Sequence, residues 1–313
     1  MKSGRGLKRC VAALKRCIAA FCVLAMAGAM LWTAGTAEII AAESLETGEG
    51  VQYIVETPYD KGIFVENGIE FHYVAGDTWQ GLMMVIPDPS RVFVGTPRDT
   101  YDGQAGANAT AIATRYGALA AVNGAFFVDE NYVGNGGTPI GVVFSEGVMK
   151  YGDTTSVWNV MGFDANNTFV CEAMTGEQAL ARGIRDAVHC KPILVQNGQV
   201  TSLNGASKTL MDARTAVGAR ADGCVLILQV DGRMAHSIGA TTKDIAECMV
   251  AFGAVSAGNL DGGGSVSNYY NGGKLPGIAS SYGKRRGPNA FCVRYEVKGD
   301  VTDEEISTEE ADS

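Results

Sequence analysis

Residues 224–265 restrict the fold of this 313-residue chain more than any other segment. Cys224-Val-Leu-Ile-Leu-Gln-Val230 is an apolar run, as a strand covered on both faces would be, and it ends on Asp231-Gly232. Thr241-Thr-Lys-Asp244 then has the form of a helix cap. The apolar residues Ile245, Cys248, Met249 and Phe252 follow at i, i+3, i+4 and i+7, and Gly253 closes the helix. A short strand follows and ends on Asn259-Leu-Asp261, before Gly262, Gly263, Gly264 and Ser265. Two strands joined through a helix normally run parallel with a right-handed crossover, so their C-terminal ends share one sheet edge. Asp231 and Asp261 are therefore expected on the edge where such sheets place ligands. The fold class that follows is α/β (α+β): a mixed β-sheet core with helices packed on it and one βαβ unit at 224–261.

Elsewhere the pattern is mostly strand. Ile63–Val65 and Ile69–Val74 flank Asn67-Gly68, a hairpin signal. Leu82–Ile86 and Arg91–Val94 are two more strands, split by the turn at Pro87–Ser90. The alanine-rich stretch Gln104–Tyr116 predicts a helix ending at Gly117, and Ala118–Val122 a buried strand running into Asn123-Gly124. Further hairpins are expected at Glu146-Gly147 and Asn197-Gly198, and a capping box at Thr175–Gln178 opens a short helix closed by Gly183.

The two ends of the chain have a different composition. Lys2, Arg5, Lys8, Arg9, Lys15 and Arg16 precede an uncharged run from Cys17 to Ala37, and no acid occurs before Glu38. A basic flank before an apolar run marks export, and the run is close to the ~20 residues of a membrane helix. Residues 1–37 are read as a signal peptide or an N-terminal membrane anchor, 38–60 as a linker and 61–298 as the folded domain. The acidic stretch 299–313 is read as a disordered tail. Without residues 1–37 the formal charge moves from −9 to −15, which repels phosphate backbones and argues against nucleic acid as a partner. The expected location is extracytoplasmic, secreted or held at the membrane by the N-terminal segment. Five cysteines remain in that part, Cys171, Cys190, Cys224, Cys248 and Cys292. Their scatter gives no zinc spacing, and the odd count argues against a disulfide framework, though a Cys171–Cys190 bridge stays open.

Asp261 is the first catalytic candidate, because it ends a buried strand and enters a glycine loop whose N–H groups can cradle an anion. No Gly-Lys-Ser/Thr follows Gly262, Gly263 and Gly264, so this is not a nucleotide P-loop. Asp231 is the second carboxylate. The two could act as acid and base in glycosidic cleavage or hold a divalent cation, and an Asp-Gly turn alone would explain Asp231 as well. Asn123 can exchange hydrogen bonds with a sugar or phosphate oxygen, and Arg214 can grip a phosphate with two parallel bonds. Arg285-Arg286 offers a further anion contact. His72, His189 and His236 match no metal spacing, and no Gly-x-Ser-x-Gly elbow accompanies Ser265.

Eight segments in order, with their spacing, are similar to the phosphodiester glycosidase family. They are Asp77–Gly81 with Asp88–Val92, Ala121–Phe127, Thr138–Gly141, Pro192–Gly198, Arg214–Gly218, Asp231–Arg233, Asn259–Ser265 and Pro288–Ala290. The resemblance spans roughly residues 65–295. It implies an exported hydrolase that cleaves a sugar from a sugar-1-phosphodiester, with envelope polysaccharide or a related glycan as partner. It implies no certain cofactor and leaves a divalent cation open. It assigns catalysis to Asp261 and Asp231, and substrate binding to Asn123, Arg214, Gly262, Gly263, Gly264, Ser265, Arg286 and Asn289. The alternative is a non-catalytic envelope glycan-binding module, since a shared fold does not fix an activity.

Overall fold

Hairpin turns set the strand pairing. The computed structural model describes residues 57–203, 209–275 and 285–296. Residues 1–37, the linker up to 56 and the acidic tail lie outside them. Along the chain the strands are β1 (Asp60–Glu66), β2 (Ile69–Ala75), β3 (Gln80–Ile86), β4 (Val92–Gly95), β5 (Ala120–Asn123), β6 (Val143–Ser145), β7 (Val148–Tyr151), β8 (Val157–Asp164) and β9 (Phe169–Thr175). They continue as β10 (Ile184–His189), β11 (Ile193–Gln196), β12 (Gln199–Val200), β13 (Arg214–Arg220), β14 (Val225–Val230), β15 (Ala254–Asn259), β16 (Asn268–Tyr270) and β17 (Ala290–Val293). The described helices are α1 (Ala109–Tyr116), α2 (Gly176–Ala181) and α3 (Thr242–Ala251). Asn67-Gly68, Glu146-Gly147 and Asn197-Gly198 all hold positive φ at both residues, as two-residue hairpins require.

Three sheets result, ordered β1-β2-β3-β14-β13-β15-β11-β12, β7-β6-β10-β8-β9 and β16-β5-β17-β4. The α+β reading holds, with sheet predominating. Neighbouring strands pair antiparallel in all three. The unit at 224–261 is strand–helix–strand, and β14 and β15 do run in the same direction, but β13 lies between them and pairs antiparallel with both. The C-terminal ends of β14 and β15 therefore share an edge with the start of β13. That places Asp231, Arg214 and Asp261 at the same end of the sheet.

Strand β14 is apolar because both its faces are covered. Leu226, Leu228 and Val230 pack with Ile245, Met249 and Phe252 of the α3 segment. Val225 and Ile227 pack with Val92, Val122, Phe163 and Phe291 from the two smaller sheets. Helix α3 starts at the capping box of Thr241 and Asp244, and α2 at that of Thr175 and Gln178. Helix α1 is shorter than the alanine content suggests. Residues 104–108 stay outside the helix, with Arg98 binding the carbonyls of Gln104 and Ala105 at 3.0 and 2.6 Å and Ala107 bridging to Gly287. Asn108 then caps the helix by accepting from the N–H of Ala111. Cys171 and Cys190 are both buried free thiols, so the disulfide left open by the sequence is not formed. No described helix is long and apolar enough to cross a membrane.

Candidate active site

The sheet edge opens into a cleft of about 970 Å³. Its floor is Asp261, Gly262, Gly263, Gly264 and Ser265, and its walls include Arg214, Arg233, Arg285, Lys191, Asp129 and Asp212. Asp261 is fixed on both sides of its backbone. Its N–H donates to the Gly124 carbonyl at 3.0 Å, and its carbonyl accepts from Nδ2 of Asn123 at 2.6 Å. Its Oδ1 accepts from the Gly262 N–H at 3.0 Å. Burial pushes the carboxyl up to about 6, while hydrogen bonds from Ser265 and Gly262 and the Arg285 charge pull it back only in part. A carboxyl poised there can carry or release a proton near neutral pH.

Asn123 does not line the cleft. It is buried beneath Asp261, with its Oδ1 accepting from the Thr215 hydroxyl at 2.8 Å, the Gln229 amide at 3.4 Å and the Ser267 N–H at 3.3 Å. Gln229 accepts in turn from Nδ2 of Asn268 at 2.8 Å. The network explains the single polar residue of β14: Gln229 stands opposite Thr215 and faces Asn123 between the sheets. Asn289 also lies under the site, accepting from the Ala125 N–H at 2.8 Å and so fixing the turn after β5.

Three arginines surround the glycine loop. A Cβ on Gly262 would lie 3.7 Å from Nη1 of Arg214, one on Gly263 3.1 Å from Nη2 of Arg233, and one on Gly264 4.0 Å from Nη1 of Arg285. Arg214 is held through Nε on the Ala240 carbonyl at 3.0 Å and Nη2 on the Leu210 carbonyl at 2.6 Å. Burial lowers its pKa. Arg233 pairs with Asp212 at 2.6 Å, and Arg285 pairs with Asp129 over the ring of Phe127. Asp212, Arg233 and Asp129 escaped sequence reasoning, although Arg233 closes the Asp231-Gly-Arg motif and Asp212 stands two residues before Arg214. Single charges of this kind carry no periodic signal.

The structure does not bring Asp231 onto the cleft wall with Asp261. Asp231 is buried, with Oδ2 3.2 Å from Nε2 of His236, which lines a separate small pocket with Asp77 and Thr78. Arg286 is exposed and lines another hollow beside Arg98 and Gln104. Among the described residues no group of three or more His, Cys, Asp or Glu side chains could hold a metal ion.

Comparison with known proteins gives the same direction. A family model described as phosphodiester glycosidase matches residues 116–294. The SPbeta prophage-derived uncharacterized protein YomE of Bacillus subtilis (strain 168) is 30% identical over 143 residues, covering 46% of this chain and 20% of that protein. The chain thus spans about a fifth of that relative's length. Among solved structures, the zebrafish N-acetylglucosamine-1-phosphodiester alpha-N-acetylglucosaminidase catalytic domain, auto-inhibited by its pro-peptide, superposes with a TM-score of 0.61. It shows 20% identity and covers 78% of this chain and 85% of that one. A Burkholderia pseudomallei K96243 protein named as a candidate exported protein superposes with a TM-score of 0.52 and 18% identity, covering 69% of this chain and 74% of that one. These likenesses speak for the fold.

Proposed function

The chain belongs to the phosphodiester glycosidase family, and from that premise we propose that it is an exported hydrolase releasing a sugar from a sugar-1-phosphodiester of envelope polysaccharide or a related glycan. Membership supports a hydrolase of glycosidase type. The observation that carries the finer reading is the juxtaposition of Asp261 with the glycine loop and Arg214 in one cleft.

The chemistry divides between these groups. The phosphodiester sits on Nη1 of Arg214 and on the N–H of Gly264, with Ser265 beside it, because the N–H groups of Gly262 and Gly263 already donate to Oδ1 of Asp261 and to the Ala213 carbonyl. The bond between the anomeric carbon and the phosphate oxygen breaks, and the phosphate monoester leaves with the electron pair. That group leaves readily without a strong acid, so the demand falls on stabilising a cation-like sugar and activating water. Ionised Asp261 serves both needs: its charge faces the developing cation, and it takes one proton from the attacking water, whose oxygen joins the anomeric carbon. Asp261 then returns that proton to the phosphate or to solvent. Asn123 and Asn289 act beneath it as positioning residues. The zebrafish relative, by its name an N-acetylglucosamine-1-phosphodiester alpha-N-acetylglucosaminidase, supports this bond type. Export rests on the basic and apolar pattern of residues 1–37, supported by the name of the Burkholderia relative.

The test is turnover. The purified domain is incubated with methyl phosphodiesters of several hexoses and 2-acetamido hexoses, with and without divalent cations. Release of reducing sugar and methyl phosphate is the expected outcome. Binding of glycan with no release from any member would favour the binding module instead.

A further inference from the structure

A second cationic hollow, of about 710 Å³, is lined by Arg98 and Arg286 with uncharged residues between Gln104 and Ala111. No described acid lines it, although acids outnumber bases in the chain. The acids nearest in sequence are engaged elsewhere. Asp99 pairs with Arg115, and Asp102 accepts from the N–H and Nε2 of Gln104 at 3.1 and 2.6 Å. The two guanidinium groups differ in freedom. Arg98 is fixed on the carbonyls of Gln104 and Ala105, which leaves further N–H donors over. Arg286 is exposed and makes no ion pair or hydrogen bond among the described residues. One fixed and one uncommitted guanidinium on a hollow without carboxylates suit a phosphate. The start of α1 also lines it, but Asn108 already caps the Ala111 N–H, so the arginines and not the helix end make the site.

One chain segment joins this hollow to the active-site cleft. Arg285 lines the cleft and Arg286 the hollow, and these are consecutive residues with Cα atoms about 3.8 Å apart. Beside Arg286 three segments meet main chain to main chain. Ala107 and Gly287 exchange two hydrogen bonds, at 3.0 and 2.9 Å, and the Gly106 N–H donates to the Asn135 carbonyl at 3.0 Å. A Cβ on Gly106 would run into the carbonyls of Gly287 and Gly136, and one on Gly136 into the Arg286 carbonyl. These glycines raise no side chain between hollow and cleft.

Resting on the phosphodiester reading above, we propose that the Arg98–Arg286 hollow is a second anion subsite, holding another phosphate of a glycan in which phosphodiesters recur along the chain. The first phosphate is gripped at Arg214, and the second, carried on the same chain, reaches Arg286 at a high effective concentration. Nucleic acid also repeats phosphodiesters, but no aromatic side chain lines the hollow to stack a base.

Glycerol phosphate oligomers with one, three and six phosphodiesters test this without turnover, since they have no anomeric bond. They are titrated into the folded domain by calorimetry. Binding is expected to tighten about tenfold from one to three phosphates and to gain little from three to six. Arg286→Gln should abolish the gain while leaving the one-phosphate affinity and the melting temperature unchanged, because this side chain is exposed and packs on nothing. Equal affinities for all oligomers would overturn the proposal. So would a gain that survives Arg286→Gln, a gain that continues undiminished from three to six phosphates, or no binding of any oligomer. Tighter binding of an oligothymidylate with the same number of phosphates would overturn it in favour of nucleic acid. An Arg286-dependent gain with no sugar release from any phosphodiester would keep this subsite and remove the hydrolase reading. Sugar release without the gain would do the reverse.

Discussion

Asp261 concentrates the site's chemistry and costs the fold something to keep. Its carboxyl titrates near 6 because the surroundings desolvate the charge more than Gly262, Ser265 and Arg285 compensate. The native protein therefore binds this proton more tightly than the unfolded chain, whose carboxyl titrates near 3.8. Stability should fall as pH rises from about 4 to about 6 and stay level above that, a loss on the order of 1–3 kcal/mol. Asp261→Asn removes the charge and keeps an oxygen that can accept from Gly262. Its melting temperature at pH 7 should match or exceed the wild type, and the difference should vanish at pH 4. Its turnover should fall by about 10²-fold or more. In the wild type, kcat/KM should rise with pH through about 6, as expected of a base active when ionised. A fully active Asp261→Asn protein would remove Asp261 from the mechanism, and a lowered melting temperature with activity kept per folded molecule would make it a loop cap.

The elements show why some of this could be read from the sequence and some could not. Periodicity and caps revealed α3, the hairpins and the shared edge of β14 and β15, because those signals are local. The insertion of β13 between β14 and β15 is a long-range pairing choice with no local trace, and the apolar β14 arises from the two smaller sheets and a helix covering it. The amide network under Asp261 joins residues 123, 215, 229 and 268, so Asn123 reads from the sequence as a substrate contact although its partners lie inside. The glycine loop was legible as a loop, but not the crowding that fixes it. Gly263 has φ 58°, and a Cβ there would meet Oδ2 of Asp212 at 3.0 Å and Nη2 of Arg233 at 3.1 Å. Gly198, in the β11–β12 hairpin, has φ 73° and open space around it. Both Gly263→Ala and Gly198→Ala should cost about 1–2 kcal/mol in denaturant titrations for the left-handed backbone. Only Gly263→Ala should also lose activity, by about tenfold or more, since it moves the loop against the Asp212–Arg233 pair. Equal activities in the two variants would show that the loop does not hold the substrate.

At the scale of the whole molecule, the proposed export and the thiols constrain one another. If the domain is exported as proposed, its five described cysteines, none of them in a disulfide, must stay unreactive in an oxidising compartment. Here burial does so. Desolvation pushes Cys171 and Cys292 up to about 12 and Cys224 up to about 11, and it raises Cys190 and Cys248 as well. A thiol so far from ionisation supplies almost no thiolate at neutral pH, and thiolate is the species that oxidises or exchanges. Cys224 is the only one of the five that is not fully enclosed. Residues 1–37 hold three more, Cys10, Cys17 and Cys22, so the thiol count of the recovered protein also reports whether that segment remains. After cell fractionation the domain should lie outside the cytoplasm. A thiol reagent should label the native protein slowly and at Cys224 first, and denaturation should then expose five thiols in a soluble form or eight in a membrane-attached one. Soluble cytoplasmic protein with eight thiols would end the export assignment. Rapid labelling of several cysteines in the native state would show that the core around Cys171, Cys190, Cys248 and Cys292 opens far more readily than its packing implies.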